Sequence, residues 1–363
     1  MQKLRRTRVS RTLKPKTKTL NLQVVFEDTK VVKLRKIVSI AAISLLMAGG
    51  LAGCASSTES ASADTKVPVL CKPLAEGTNA GQVSVTGSTG APAVKFPLPL
   101  KTGASQRKLV KQGTGTAFGG NQLISFEFEG FNARTGEKFQ ETKFDGSDAI
   151  SQLIAVPAKG TTGATFCNVF SGARAGATVV ALMNAKDSHN SQAIASANIK
   201  ANDPLLFVLH LRKVNLPRAI GTAVAPQSGF PQVVLAASGE PGLVMQDWSA
   251  SSAPTEFKKE TLIKGAGPVV HENDTVTVHY SGFLWDSSKG QFDSSWKNGT
   301  PATFQLSQGS VIPGFISAIA GETVGSQVVA VLPPSVAYGS QGTGSIPANA
   351  TLIFVIDILG TGK

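Results

Sequence analysis

Residues 172–183 (Gly-Ala-Arg-Ala-Gly-Ala-Thr-Val-Val-Ala-Leu-Met) align without a gap to residues 321–332 (Gly-Glu-Thr-Val-Gly-Ser-Gln-Val-Val-Ala-Val-Leu). Two further pairs keep the same order. Leu109 to Gly115 matches Leu262 to Gly267, and the closing apolar run 205–211 (Leu-Leu-Phe-Val-Leu-His-Leu) matches 352–358 (Leu-Ile-Phe-Val-Ile-Asp-Ile). An internal repeat of this kind constrains a chain more than its composition does, because each copy must bury its own apolar face. Two copies of one fold are therefore expected in the 363 residues, joined through a Pro- and Gly-bearing linker at 216–229.

Within the second copy, residues 274–280 alternate apolar and polar at period two, and 326–332 and 351–359 are β-branched runs bounded by Gly or Pro. Only 313–320 reads as a helix, with Pro313 in its first turn and Gly321 at the position where helices end in a left-handed residue. The expected class is α+β, an antiparallel sheet wrapped on one short helix, occurring twice.

The formal charge of +12 suggests an anionic partner, yet twelve of the 35 Lys and Arg precede residue 37, opposed only by Glu27 and Asp28. Beyond residue 53 the balance is 23 basic against 21 acidic residues, so the basicity belongs to the N-terminal segment and nucleic-acid binding has no support. Residues 37–51 are uncharged and apolar, follow Lys33, Arg35 and Lys36, and are too short to span a bilayer comfortably. They run into Leu51-Ala-Gly-Cys54, which resembles a bacterial lipobox, where the cysteine becomes a lipidated N-terminus. The chain is thus divided into a signal region (1–53), a lipid-anchored tether (54–82), a first domain (83–215), the linker (216–229) and a second domain (230–363). Residues 1–31 are either an extended n-region or precede a start at Val31 or Val32. The implied location is outside the cytoplasm, at the outer face of a bacterial membrane. Cys71 and Cys167 remain, either as one disulfide or as two buried thiols.

The second copy also carries Val-His-Tyr-Ser-Gly-Phe at 278–283, Phe-Asp-Ser-Ser at 292–295, Phe-Gln-Leu-Ser-Gln-Gly-Ser-Val-Ile-Pro-Gly-Phe at 304–315, Leu-Pro-Pro-Ser-Val-Ala-Tyr-Gly at 332–339, and an Ile346-Pro-Ala-Asn block reaching Phe354. In this order and spacing the five blocks resemble the FKBP-type peptidyl-prolyl cis-trans isomerases. The resemblance implies a half-barrel sheet around the short helix, with an apolar pocket that receives a proline ring, and no cofactor or metal. It assigns Tyr280, Asp293, Tyr338 and the Ile312 N–H to catalysis, and Phe292, Phe304, Val311, Phe315, Ile346 and Phe354 to the substrate walls. The implied partners are proline-containing exported polypeptides and macrolide inhibitors, with a lipid on Cys54 as the membrane link.

Three departures bear on this reading. Ala302 stands where many members have the first Phe of a Phe-x-Phe pair, Ser345 replaces an aliphatic residue, and the loop from Tyr338 to Ile346 is one residue short. They leave room for a second reading, a non-enzymatic lipid-anchored chaperone or binding protein. In the first copy the equivalents of Tyr280, Asp293 and Val311-Ile312 are Phe128, Gln140 and Thr162-Gly163, which implies a degenerate copy without isomerase activity. The four histidines, His189, His210, His271 and His279, show no metal-ligand spacing, and no nucleophile elbow, phosphate loop or dinucleotide fingerprint occurs.

Overall fold

Both copies are built on the same path of antiparallel strands. The computed structural model describes residues 67–88, 90–244, 252–286 and 288–362. In the first copy the strand order is Gln106–Lys111, Thr178–Met183, Leu205–Val214, Gln122–Asn132, and then Lys138–Glu141, with Ile150–Ile154 also paired to Gln122–Asn132. In the second it is Lys258–Gly265, Gln327–Leu332, Leu352–Gly362, Thr275–Leu284, and then Gln291–Ser294, with Ala302–Gln305 also paired to Thr275–Leu284. Register shifts recur at matching places: Leu109/Lys111 with Thr261/Ile263, Ser125/Phe126 with Thr277/Val278, and Gly130/Phe131 with Gly282/Phe283. Shared bulges fix shared curvature.

Each sheet curls over a short helix, Phe166–Phe170 in the first copy and Pro313–Ile319 in the second. Gly172 and Gly321 follow these helices at φ +73° and +82°, a region that favours glycine, which is why both repeats open on that residue. Alternate residues of the central strands face the helix. Val179, Ala181 and Met183 pack there in the first copy, as Val328, Ala330 and Leu332 do in the second.

The opposite face of each sheet is also covered, which the sequence reading did not anticipate. A hairpin of Ser84–Ser88 and Ala91–Lys95 lies over Phe131, Val180, Leu182, Leu206 and Val208. Its counterpart, Gln232–Leu235 with Pro241–Val244, lies over Phe283, Val329, Val331, Ile353 and Val355. These residues match in pairs along the two copies. The apolar runs of the central strands are unbroken because both faces are buried.

Two expected boundaries change. Part of the tether is folded onto the first copy: the Leu70 N–H donates to Gly119 O at 2.8 Å, the Leu74 N–H to Asn168 O at 3.1 Å, and Ala80 is fully buried. The expected linker is bonded into the second sheet, with the Leu216 N–H on Leu359 O (2.9 Å) and the Ile220 N–H on Gly325 O (2.9 Å), while Gly221–Ala223 pairs with Lys258–Gly265. Main-chain groups buried beside a sheet edge pair with it, so Pro and Gly content did not make this stretch free. Among the described residues no helix is long and apolar enough to cross a membrane.

Candidate active site

The mouth of the second half-barrel gathers residues from four elements. Tyr280 lies on the central strand, half-buried, and its neighbour strand brings Phe292 and Asp293 alongside. Gly282, opposite Asp293 in register, carries no side chain, and a Cβ there would stand 2.6 Å from Phe292 Cζ and 3.0 Å from Phe354 Cε1. The two rings close over the space left by that glycine.

Four phenylalanines and one tyrosine form the walls. Phe315, on the helix, and Phe354, on the long strand, lie 5.3 Å apart at right angles. Phe292 meets Phe354 edge-on at 5.7 Å, Phe304 meets Phe315 at 5.2 Å, and Tyr280 stands 6.1 Å from both Phe315 and Phe354. Edge-to-face arrangements of this kind are the favoured geometry of aromatic clusters. Val311 and Ile312 pack partly buried against the same cluster just before the helix, with Ile312 at its N-cap, and Ile346 joins it as a buried residue.

One polar pair is set in this apolar box. The Tyr280 hydroxyl donates to Asp293 Oδ2 at 2.5 Å, while Asp293 Oδ1 accepts the Ser294 N–H at 2.8 Å. Burial, reinforced by that hydrogen bond to Asp293, holds the Tyr280 hydroxyl well above the ordinary phenol range, so it stays a proton donor. Tyr338 sits on the loop after the strand Gln327–Leu332, 37% exposed, and burial followed by the Asp293 charge raises its hydroxyl too. The chain has no tyrosines besides these two.

The structure thus brings together Tyr280, Phe292, Asp293, Phe304, Val311, Ile312, Phe315, Ile346 and Phe354, with Tyr338 above them on an exposed loop. Cys54 lies outside the described residues. Cys71 and Cys167 are joined as a disulfide, their Cα atoms 5.8 Å apart, within the first copy. Sequence reasoning missed Ser295, whose hydroxyl grips the main chain of Tyr280, accepting its N–H at 2.8 Å; the only signal was its place in the Asp-Ser-Ser run.

In the first copy the same box is made of phenylalanine alone. Phe128, Phe139 and Phe166 lie 6.3, 6.0 and 6.2 Å from Phe207, mirroring Tyr280, Phe292 and Phe315 around Phe354. The polar pair is gone, and the buried Gln140 Oε1 has no hydrogen-bond partner among the described residues.

The sequence of the second copy is also similar to known proteins. Residues 267–359 match the model of the FKBP-type peptidyl-prolyl cis-trans isomerase family. FkpA of Buchnera aphidicola, an FKBP-type peptidyl-prolyl cis-trans isomerase, is 43% identical over 96 residues, which cover 26% of this chain and 37% of that protein. A crystal structure of FkpA from Escherichia coli aligns at 33% identity over 32% of this chain and 53% of that one, with a TM-score of 0.27. The chain therefore spans little more than a third of the Buchnera protein's length, and the residues matched by the family model lie in the second copy. An FK506-binding protein of Streptomyces anulatus is 36% identical over 115 residues and is 92% covered. On that near-complete match, the chain belongs to the FKBP-type peptidyl-prolyl cis-trans isomerase family.

Proposed function

We propose that the second copy is a peptidyl-prolyl cis-trans isomerase acting on exported polypeptides, and that a lipid on Cys54 holds the chain at the outer face of a bacterial membrane. The observation that carries the enzymatic reading is the Tyr280–Asp293 pair, one polar couple inside an otherwise aromatic box.

Rotation about a prolyl bond faces a barrier of about 18–20 kcal/mol because the planar amide loses its resonance on twisting. No covalent step is needed to lower it. Walls made by Phe292, Phe304, Val311, Phe315, Ile346 and Phe354 strip water from the imide, which disfavours the charge-separated planar form relative to the twisted one. Asp293 faces the carbonyl of the bound peptide, the Ile312 N–H and the Tyr338 hydroxyl donate to the flanking carbonyls, and Tyr280 holds Asp293 in orientation. Donors fixed in advance stabilise the twisted form without rearranging. Macrolide inhibitors enter the same box.

Support for export comes from the basic run before residue 37, the apolar stretch 37–51 ending at Cys54, and the polar residues that follow. The Cys71–Cys167 disulfide fits an oxidising compartment. In the first copy, Phe128 and Gln140 lack the polar couple, and that copy contributes no turnover.

The test is prolyl isomerisation of proline-containing peptides by the full chain, with Tyr280→Phe and Asp293→Ala as controls. Activity that both substitutions lower supports the reading. A folded but inactive parent moves the function to a non-enzymatic, lipid-anchored binding protein. Palmitate labelling of the parent against Cys54→Ser tests the anchor, and equal labelling of the two overturns it.

A further inference from the structure

Behind the Tyr280–Asp293 pair, on the far side of the same strand, three residues form a second polar arrangement. Ser295 follows Asp293 by two positions, and its Oγ accepts the Tyr280 N–H at 2.8 Å. The same Oγ lies 2.9 Å from His279 Nδ1 and 3.3 Å from Tyr280 O. The imidazole tautomer sets which of the two donates, and in either case the Ser295 hydroxyl links the Tyr280 main chain to the His279 ring. Bonds in series polarise one another and hold their members more firmly than separate bonds would. The His279 ring is fixed in turn by Trp296, stacked on it with centroids 4.0 Å apart and planes 20° from parallel. Trp296 keeps that stack although its buried Nε1 finds no acceptor among the described residues. A buried donor left unpaired is costly, so the packing of this ring, its stack on His279 included, offsets that cost.

His279 is only 6% exposed and faces away from the aromatic box, so it cannot touch a substrate there. We infer that His279 is a positioning residue for the prolyl isomerisation proposed above: through Ser295 it fixes the Tyr280 main chain, and so sets the Tyr280 hydroxyl on Asp293. The inference rests on that reading of the second copy.

The first copy supplies an internal comparison. There Thr142 takes the place of Ser295, and its Oγ1 likewise accepts the Phe128 N–H, at 2.9 Å. A hydroxyl clamp on this strand therefore belongs to the fold in general. What differs is its far end. The hydroxyls of Thr142 and Ser295 both also reach back to the main-chain oxygen, Phe128 O at 3.4 Å and Tyr280 O at 3.3 Å, but Glu127 replaces His279 and is committed to an ion pair with Arg212 at 2.7 Å. Lys143 replaces Trp296. The imidazole and its stacked indole occur only in the copy that has the tyrosine and the aspartate to position.

The experiment compares kcat and KM of the full chain with those of His279→Leu, His279→Asn, Ser295→Ala and Ser295→Thr, each checked for folding by its melting temperature. Asn offers an oxygen near the place of Nδ1, and Thr restores the hydroxyl as Thr142 does. Expected is a five- to tenfold fall in kcat for His279→Leu and Ser295→Ala, about the effect of one lost hydrogen bond, with KM within about twofold. His279→Asn and Ser295→Thr should recover to within about twofold of the parent. An unchanged kcat in His279→Leu overturns the inference. So does a loss in His279→Asn as large as that in His279→Leu, or a loss confined to KM. An active parent with any of these results sinks the positioning role alone, whereas an inactive parent sinks the isomerase reading and this inference with it.

Discussion

Gln140 and Asp293 stand at the same register position in two copies of one sheet, opposite Gly130 and Gly282 respectively. Asp293 accepts a tyrosine hydroxyl, while the residue in the place of that tyrosine in the first copy, Phe128, has no hydroxyl to give Gln140. In the full chain, Tyr280→Phe and Asp293→Ala should each lower kcat/KM by about tenfold or more, and the double variant should lose less than the product of the two, since they act as a pair. An unchanged kcat/KM in the folded double variant would place the activity outside this pair.

The unpaired Gln140 Oε1 offers a gain of stability. Phe128→Tyr places a hydroxyl where Tyr280 has one and should raise stability by about 0.5–1.5 kcal/mol, the net value of one hydrogen bond. Urea denaturation reads it directly. A destabilised Phe128→Tyr would mean that the hydroxyl does not reach the amide.

Gly282→Ala should narrow the box, since a Cβ would press on the Phe292 and Phe354 rings at 2.6 and 3.0 Å. Overpacking of this kind costs about 1–3 kcal/mol. Raised KM together with a lowered melting temperature is expected, and full affinity in a stable variant would show that the rings are free to retreat.

Acid stability tests two buried groups of opposite sign. Burial lowers His279 from 6.5 to about 4, so as pH falls through that window the unfolded chain takes up a proton that the folded chain refuses, and stability is lost. Burial raises Asp357 from 3.8 to about 6, against the Ala219 N–H and the Gln327 amide that bond it, so over nearly the same window the folded chain protonates first and gains. Each effect is worth roughly 3 kcal/mol at most, at 1.36 kcal/mol per pH unit. Between pH 6 and pH 4 these two contributions should nearly cancel in the parent and leave a falling slope in Asp357→Asn. Parallel urea-unfolding profiles for the two proteins would rule out a proton on Asp357.

Reduction of the Cys71–Cys167 disulfide, which closes a sequence separation of 96, should destabilise the first copy by about 2–4 kcal/mol. Unfolding with and without a thiol reductant measures it, and Cys71→Ser should reproduce the reduced value. Identical transitions would mean that the segment from residue 67 is held by its other bonds alone.

What the sequence disclosed, and what it hid, follows from where each constraint resides. The repeat was legible because Gly172, Gly176, Gly321 and Gly325 adopt positive φ, and few residues can replace glycine there. The box was legible because its residues fall in five fixed blocks around turns. The two outer hairpins were not, since 84–95 and 232–244 alternate weakly and are rich in Gly, Pro and Ser; their pairing is decided by the sheet beneath them. Residues 216–223 carry the composition of a linker, yet the N–H groups of Leu216 and Ile220 donate to the main-chain oxygens of Leu359 and Gly325. The Ser295–His279 bond was not legible because it crosses between strands, and which residues face each other there depends on bulges that no local pattern reveals.

The hairpin over the outer face is part of what repeats. It occurs in both copies, packed on matching residues, with Pro92 and Pro241 at corresponding corners of its second strand. The repeated unit is therefore the covered sheet, hairpin included, rather than the bare half-barrel. Two-sided burial is common to both copies, with and without the polar couple, so the covering holds the sheet whatever its pocket contains.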